Sequence, residues 1–148
     1  NAVDLMRLLG LDQPKVAVLA AVETVNPMMP ATLDAAALTV MAARGQITGA
    51  LVDGPLAFDN AISPEAAATK GIISQVAGEA DILLVPDLEA GNMLAKQLIY
   101  FAGATAAGLV LGARVPIVLT SRADPLSARI ASAALAKLVA IRKAEAKA

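Results

Sequence analysis

Three polar segments of the chain follow apolar runs that are typical of buried β-strands, and they hold the residues best suited to chemistry. The last segment contains Ser121, Arg122 and Asp124, directly after the apolar run that ends at Thr120. A guanidinium matches the fork geometry of a phosphate, a helix start adds N–H donors, and a carboxylate beside them can accept a proton. This segment is a candidate phosphate site, although Asp124 before Pro125 is also explained as a helix N-cap.

The second segment connects the run Ile82–Val85, which suits a strand buried on both faces, to a helical pattern that we predict to start at Asn92. Gly91 lies at that start, and Lys96 shares a helix face with Asn92. Open α/β sheets bind anions at the carboxyl ends of their strands, beside helix N-termini. The segment is therefore either part of a ligand site or an ordinary helix start with an Asn cap and a solvated lysine.

The first segment is an Asp-Gly-Pro sequence that begins at Asp53, with Asp59 and Asn60 close behind. We predict a strand over residues 47–52 that ends at this sequence. A tight turn that holds carboxylates at a sheet edge suits ligand contact, but Asp-Gly is also ordinary turn chemistry.

Composition excludes several classes of function. Twelve basic and thirteen acidic residues give a net charge of −1. The sequence therefore lacks the excess of positive charge that is typical of nucleic-acid-binding proteins. The chain has no Cys and no His, so disulfides, zinc sites built on these residues, thiolate nucleophiles and imidazole bases are excluded within it. We predict no metal site, and proton transfer must use Asp, Glu, Lys, Tyr or water.

The high apolar content raises the question of a membrane span. The longest uncharged stretch, residues 97–113, contains three glycines and falls short of the roughly twenty apolar residues that a spanning helix needs. We therefore expect no membrane association. An apolar content of 57% with only 2% aromatic residues indicates Ala-rich helices and apolar surface that a partner covers.

Strand-like and helical patterns alternate along the chain, which predicts a layered α/β fold with a mostly parallel sheet. We predict that Thr32 caps a helix ending at Ala43 and that Ser63 caps a helix starting at Pro64. A last helix runs from about Asp124 toward Lys143. The predicted inner positions of the first and last of these helices are Leu33, Ala36, Ala37 and Val40, and Ile130, Ala134, Leu138 and Ile141. The remaining predicted elements are a helix over residues 4–9 and strands over 16–20, 82–85, 107–111 and 117–120.

Four blocks, in order, resemble the phosphate acetyltransferase/phosphate butyryltransferase family, and are most similar to its butyryltransferase-like branch. That branch includes the C-terminal part of bifunctional enoyl-CoA hydratase/phosphate acetyltransferase proteins. The blocks are residues 16–27 (VAVLAAVETVNP), 53–63 (DGPLAFDNAIS), 80–87 with 89–94 (ADILLVPD and EAGNML), and 116–124 (PIVLTSRAD). They cover nearly the whole chain, which makes the resemblance more specific than any short motif.

The resemblance implies the reaction acyl-CoA + phosphate ⇌ acyl phosphate + CoA, with coenzyme A as a substrate and no metal or redox cofactor. It implies a three-layer α/β/α fold similar to that of the isocitrate/isopropylmalate dehydrogenases, with the active site between two domains. Residues 1–113 would form the second, cleft-forming domain, and residues 114–148 would return to a first domain. A cytoplasmic homodimer or larger assembly is also implied.

The resemblance also assigns roles to residues of the last block. Ser121 would orient the CoA sulfur or the developing oxyanion, and Arg122 would neutralise the phosphate leaving group. A carboxylate would take the thiol proton. In the acetyltransferase branch that carboxylate lies further into the following helix, where this chain has Ser127 and Ala128, so Asp124 is the nearest substitute.

The other matching residues would contact substrate. Gly91, Asn92 and Lys96 match the family's Gly-Asn-x-x-x-Lys pattern, which lines the cleft. Asp53 and Asp59 match its other signature, without a role that the sequence assigns.

Two other functions stay open at this point: a non-catalytic, acyl-CoA-sensing module, like the related domain of some malic enzymes, and an oligomerisation domain. The intact Ser-Arg pair and the Asp-Gly-Pro…Asp-Asn block argue against the sensor. The sequence does not distinguish an acetyl from a butyryl substrate.

Overall fold

The computed structural model describes residues 1–145, and contacts between Cα atoms divide the chain into two compact units. One unit is residues 11–91, and the other combines residues 1–10 with the chain from residue 92 onward. In order, the elements are α1 (Ala2–Leu8), β1 (Lys15–Leu19), α2 (Pro30–Ala43), β2 (Leu51–Leu56), α3 (Phe58–Ile62), α4 (Pro64–Thr69), β3 (Ile82–Leu84), α5 (Leu88–Tyr100), β4 (Leu109–Val110), β5 (Ile117–Val118) and α6 (Leu126–Glu145).

The core of unit 11–91 is a parallel three-stranded sheet in the order β2-β1-β3. The central strand β1 is apolar from Val16 to Leu19, and all four of these residues are buried. A continuous apolar run is what a strand with neighbours on both edges and helices packed on it requires. The parallel sheet confirms the predicted α/β class.

Two predicted strands of this unit differ from the observed ones. Asp53, Gly54 and Pro55 were expected to follow a strand over 47–52, but they lie inside β2. A Cβ atom at Gly54 would come within 2.7 Å of the Val18 carbonyl oxygen. Strand β2 therefore lies closer to β1 at this position than a residue with a side chain permits. Pro55 follows in a cis peptide bond, where the β1–β2 register shifts. The expectation that residues 82–85 are buried on both faces is wrong, since Leu84 is 41% exposed.

The helices of this unit correct one prediction and confirm another. Helix α2 begins at Pro30, two residues before the predicted cap, and Thr32 lies in its first turn with its hydroxyl donating to the Met29 and Asn26 carbonyls. The buried positions of α2 are Thr32 and Ala35, so the predicted inner positions are wrong: Leu33 and Val40 are exposed. The α4 prediction is confirmed, because the Ser63 hydroxyl accepts the Ala66 N–H at 3.2 Å.

The other unit contains α1, most of α5, an antiparallel β4–β5 pair and α6. Helix α1 and strand β5 both contact α6. The residues of α6 that are buried are Ala128, Ser132 and Val139, whereas Ile130, Leu138 and Ile141 are exposed. The predicted inner face of α6 is therefore wrong, because small residues on a neighbouring face make its contacts within this unit.

Two further predictions concern the architecture of the whole protein. The division into residues 1–113 and 114–148 and the likeness to the dehydrogenase fold stay predictions. Residues 146–148, which belong to the second of those domains, lie outside the described residues. No helix within residues 1–145 is both long enough and apolar enough to cross a membrane.

Candidate active site

The turn that carries Ser121 and Arg122 follows β5 and leads into α6, and two hydrogen bonds close it. The Asp124 N–H donates to the Ser121 carbonyl oxygen at 3.1 Å. The Ser121 N–H donates to the Asp124 Oδ2 atom at 2.6 Å. The Ser121 Oγ atom in turn accepts the Ala123 N–H at 3.4 Å. The structure thus brings Ser121, Arg122 and Asp124 together, and the half-buried carboxylate of Asp124 fixes the turn.

Ser121 and Arg122 are both exposed at this turn. The Arg122 carbonyl oxygen accepts a hydrogen bond of 3.5 Å from the Arg129 guanidinium. Within residues 1–145, the Arg122 guanidinium itself forms no ion pair. The Arg122 charge is therefore not paired with a carboxylate in the described part of the chain, which leaves its guanidinium able to bind an anion.

Helix α5 begins earlier than predicted. It starts at Leu88, and the Asp87 Oδ1 atom accepts the Ala90 N–H at 2.7 Å, so the helix start is built on Asp87. Asn92 lies inside the helix, so the predicted start at Asn92 is wrong, and the alternative in which Asn92 caps the helix does not hold either. Asn92 and Lys96 are exposed and lie four residues apart, one helical turn from each other as predicted.

Gly91 has a packing role at the start of α5. A side chain at this position would come within 2.9 Å of the Val85 Cγ2 atom. The glycine thus lets the first turn of α5 approach the end of β3 closely. This contact explains the residue type at position 91 without a ligand, and the binding role of Gly91 stays a prediction.

Asp53 lies in β2 opposite Ala17 of β1, not in a turn. Its Oδ1 atom accepts the N–H of Gly54 at 2.8 Å. The carbonyl oxygen of Gly54 accepts the Thr39 hydroxyl of α2 at 3.1 Å. The Asp53 carboxylate is half-buried and takes part in the irregular end of β2, and its contact with substrate stays a prediction.

Asp59 is part of a charged cluster that joins three segments of unit 11–91. The Lys70 ammonium, just after α4, lies 3.1 Å from Asp59 Oδ2 and 3.4 Å from Glu23 Oε2. Glu23 belongs to the loop after β1, and Asp59 belongs to α3. The buried Asn60 donates to Glu23 Oε2 at 3.3 Å, and its own Oδ1 atom is buried without a hydrogen-bond partner within residues 1–145.

The cluster favours the charged forms of Asp59 and Lys70. The hydrogen bond from Lys70 and the backbone N–H of Asn60 hold the pKa of the Asp59 carboxyl below its ordinary value. The carboxylates of Asp59 and Glu23 raise the pKa of the Lys70 ammonium, with Asp59 the stronger cause. The cluster therefore presents an ionised Asp59 beside the carboxyl end of β2 over a wide pH range.

Sequence reasoning did not predict Glu23 and Lys70 as members of this cluster. Glu23 lies in the VETVNP part of the first matching block, which was the available signal. Lys70 follows Asp59 by eleven residues and lies just after α4, so the two residues are not on one helix or strand and no single periodicity connects them. The role of each of the three polar segments in ligand binding stays a prediction.

The chain was compared with known protein families and with solved structures. A family model described as phosphate acetyl/butaryl transferase matches residues 1–137. The chain belongs to this family. This result confirms the resemblance that the four sequence blocks carry.

The relatives that the chain matches include proteins named as acetyltransferases and as butyryltransferases. The chain is 64% identical to a phosphate acetyltransferase from Rhizobium meliloti, over 97% of this chain and 45% of the relative. It is 60% identical to a probable phosphate butyryltransferase from Bacillus subtilis, over 92% of this chain and 46% of the relative. The chain spans about half the length of the curated phosphate acyltransferases that it matches.

Solved structures of phosphotransacylases have the same fold. The crystal structure of a branched-chain phosphotransacylase from Enterococcus faecalis V583 superposes with a TM-score of 0.84 at 40% identity, over 93% of this chain and 49% of that one. A phosphotransacetylase from Streptococcus pyogenes gives a TM-score of 0.77 at 28% identity, over 95% of this chain and 43% of that one.

Proposed function

We propose that the protein containing this chain is a phosphate acyltransferase, which moves a short acyl group, acetyl or butyryl, between coenzyme A and inorganic phosphate. The observation that carries the proposal is the closed turn at residues 121–124, where exposed Ser121 and Arg122 follow a strand and precede a helix. Membership of the phosphate acetyl/butaryl transferase family supports the same reaction.

The chemistry of this turn follows from its groups. In the direction of acyl-CoA formation, the CoA sulfur attacks the carbonyl carbon of the acyl phosphate, a C–S bond forms, and the C–O bond to phosphate breaks. Arg122 pairs with the phosphate as negative charge grows on it, and Ser121 hydrogen-bonds the sulfur or the oxyanion. The thiol proton goes to a carboxylate, for which Asp124 is the proposed group because it is the carboxylate bound to this turn.

The remaining predicted residues are proposed to bind substrate. Lys96 and Asn92 present an ammonium and an amide from one side of α5, and both are exposed. Lys96 forms no ion pair within residues 1–145, so its charge is available for a phosphate group of coenzyme A. Gly91, Asp53 and Asp59 complete the proposed set, without assigned contacts.

The proposal includes the molecular context that the family resemblance implies. The reaction as written transfers an acyl group without a change of oxidation state, so it requires no redox cofactor, and we propose that it uses no metal. A homodimer or larger assembly and a cytoplasmic location also belong to this proposal.

The decisive experiment measures acyl-CoA formation by the full-length protein from acetyl phosphate or butyryl phosphate and coenzyme A. Wild-type protein should form the thioester with either or both substrates. Arg122→Ala should lower kcat/KM by about 100-fold or more, because a charge that stabilises the transition state is lost.

The matched control is Arg114→Ala, which removes an exposed arginine from the β4–β5 connection of the same unit. It should leave kcat/KM within about twofold, since surface substitutions away from a site have small effects. Coenzyme A binding without turnover by the wild type would favour the acyl-CoA sensor instead. An Arg122→Ala protein with an unchanged kcat and an unchanged KM for the acyl phosphate would refute the role of Arg122.

A further inference from the structure

A pocket of about 250 Å³ lies next to the Ser121–Asp124 turn, within the unit formed by residues 1–10 and the chain from 92 onward. One wall is the end of α5 at Ile99 and the loop of residues 103–106. The opposite wall is Asp124 and the first turn of α6, including Ser127 and Ala128. The roles proposed for Ser121 and Arg122 concern the sulfur and the phosphate, and they assign no ligand group to this pocket.

Hydrogen bonds made by the backbone of both walls hold them in place. At the start of the loop, the Ala104 N–H donates to the Leu98 carbonyl oxygen at 3.0 Å. At its end, the Gly108 N–H donates to the buried Ser132 Oγ atom at 2.9 Å, and the Ser132 hydroxyl donates to the Ala128 carbonyl oxygen at 2.7 Å. These hydrogen bonds connect the end of the loop to the part of α6 that lines the pocket. They therefore hold the two walls at a fixed separation.

The size and lining of the pocket match a short hydrocarbon chain. An engineered apolar protein cavity of about 150 Å³ holds benzene, so a pocket of about 250 Å³ has room for an acyl chain of four or five carbons. The lining side chains are mostly small and apolar, with Ile99, Ala104 and Ala106 on one wall and Ala128 on the other. The hydroxyls of Thr105 and Ser127 are the neutral polar groups among them, and such groups fix orientation in an otherwise apolar site.

The position of the pocket connects it to the reacting atoms. Asp124 both lines the pocket and binds the Ser121 N–H through Oδ2. The pocket therefore lies directly beside the turn that carries Ser121 and Arg122.

We propose that this pocket receives the acyl chain of the substrate and that the loop of residues 103–106 sets the preferred chain length. This inference rests on the proposed phosphate acyltransferase function, which it makes more specific. The pocket has more room than an acetyl group fills, so it favours butyryl or a branched short chain over acetyl.

The test compares the specificity of pocket variants of the full-length protein for acetyl phosphate and butyryl phosphate. Ala106→Leu fills the pocket and should lower the ratio of kcat/KM for butyryl phosphate to that for acetyl phosphate by about 10-fold or more, since each methylene excluded from such a pocket has an effect of this order. Ile99→Ala widens the pocket and should raise kcat/KM for hexanoyl phosphate relative to butyryl phosphate by about threefold or more.

Ala133→Leu is the control, because it adds the same atoms at an exposed position of α6 outside the pocket. It should leave both ratios unchanged. Ratios unchanged in Ala106→Leu and Ile99→Ala, with acyl-CoA still formed, would overturn the pocket assignment alone. A wild type that turns over no acyl phosphate would refute the proposed function and the pocket with it. If Ala106→Leu does not fold, Ile99→Ala decides, because it adds no atoms to the structure.

Discussion

The two units of the chain are stabilised in different ways. Of the twelve buried apolar residues in the described part of the chain, ten lie in unit 11–91, whereas Ala128 and Val139 are the two in the other unit. Unit 11–91 has a strand with neighbours on both edges, whereas β4 and β5 pair through two residues each. A two-stranded pair of this length is not stable by itself.

The difference matters because Ser121 and Arg122 belong to the unit with little core. The Asp124 carboxylate holds their turn through the Ser121 N–H, and elsewhere in this unit the Ser132 hydroxyl connects Gly108, just before β4, to α6. In unit 11–91, by contrast, Asp53 and Asp59 are held on elements packed around buried β1. One unit is therefore sensitive to changes in packing and the other to the loss of single hydrogen bonds.

The largest expected effect is a packing change in unit 11–91. Gly54→Ala places a methyl group 2.7 Å from the Val18 carbonyl oxygen and 2.8 Å from its Cβ atom, so β1 and β2 must separate. We expect a loss of about 2–3 kcal/mol in the free energy of unfolding, typical of an overfilled core. Equilibrium urea unfolding measures the loss, and hydrogen exchange should show faster exchange of the β1 amides.

Gly91→Ala is the comparison for Gly54→Ala. Its methyl group would come within 2.9 Å of a side-chain atom, Val85 Cγ2, whereas at Gly54 the obstacle includes backbone, and alanine also favours a helix by about 1 kcal/mol. Its net effect should therefore be much smaller. If both variants lost the same free energy of unfolding, the close approach of β1 and β2 at Gly54 would not explain the effect of Gly54→Ala.

The next effect is the loss of one hydrogen-bonded hydroxyl in the other unit. Ser132→Ala leaves the Gly108 N–H without its acceptor and should cost about 1–2 kcal/mol. Hydrogen exchange should become faster around Gly108 and the first turns of α6, while the β1 amides keep their protection. The exposed Ser127→Ala should change stability by less than about 0.5 kcal/mol. Faster exchange of β1 in Ser132→Ala would show that the two units unfold together.

The smallest expected effect is electrostatic and depends on pH. The folded pKa of Asp59 lies below its unfolded value, so its contribution to stability is present above about pH 4 and is lost as the pH falls through the folded pKa. The folded pKa of Lys70 is raised, so its contribution is lost when the pH rises above about 10. The stability difference between wild type and Asp59→Asn should be greatest between these limits and should shrink outside them.

Urea unfolding of both proteins across this pH range measures the difference. Asp34→Asn, which changes an exposed carboxylate of α2 that forms no ion pair within residues 1–145, should give a difference that does not follow this profile. A pH-independent difference for Asp59→Asn would contradict the Asp59–Lys70 pair. The effect is small because both side chains are partly exposed and water screens the pair.

Patterns that depend on local chemistry predicted much of the fold. The apolar run at β1, the Ser63 cap with Pro64, and the strand–turn–helix unit around Ser121 all follow from residues that are adjacent in sequence. Burial of helix faces was predicted poorly for α2 and α6. In an Ala-rich helix many faces are equally apolar, so periodicity does not choose among them. The packed faces use Thr32 with Ala35 and Ser132 with Ala128, because small residues allow close approach.

The sequence by itself determined the alternation of strands and helices, the absence of histidine and cysteine side chains from this chain, and the family, because these depend on residue types and on their order. Only the tertiary structure decided that Asp53 lies inside β2, that Lys70 joins Asp59 to Glu23, and that a pocket adjoins Asp124. Those features arise between segments that are distant along the chain, and the free energy of their packing is not encoded in any local pattern.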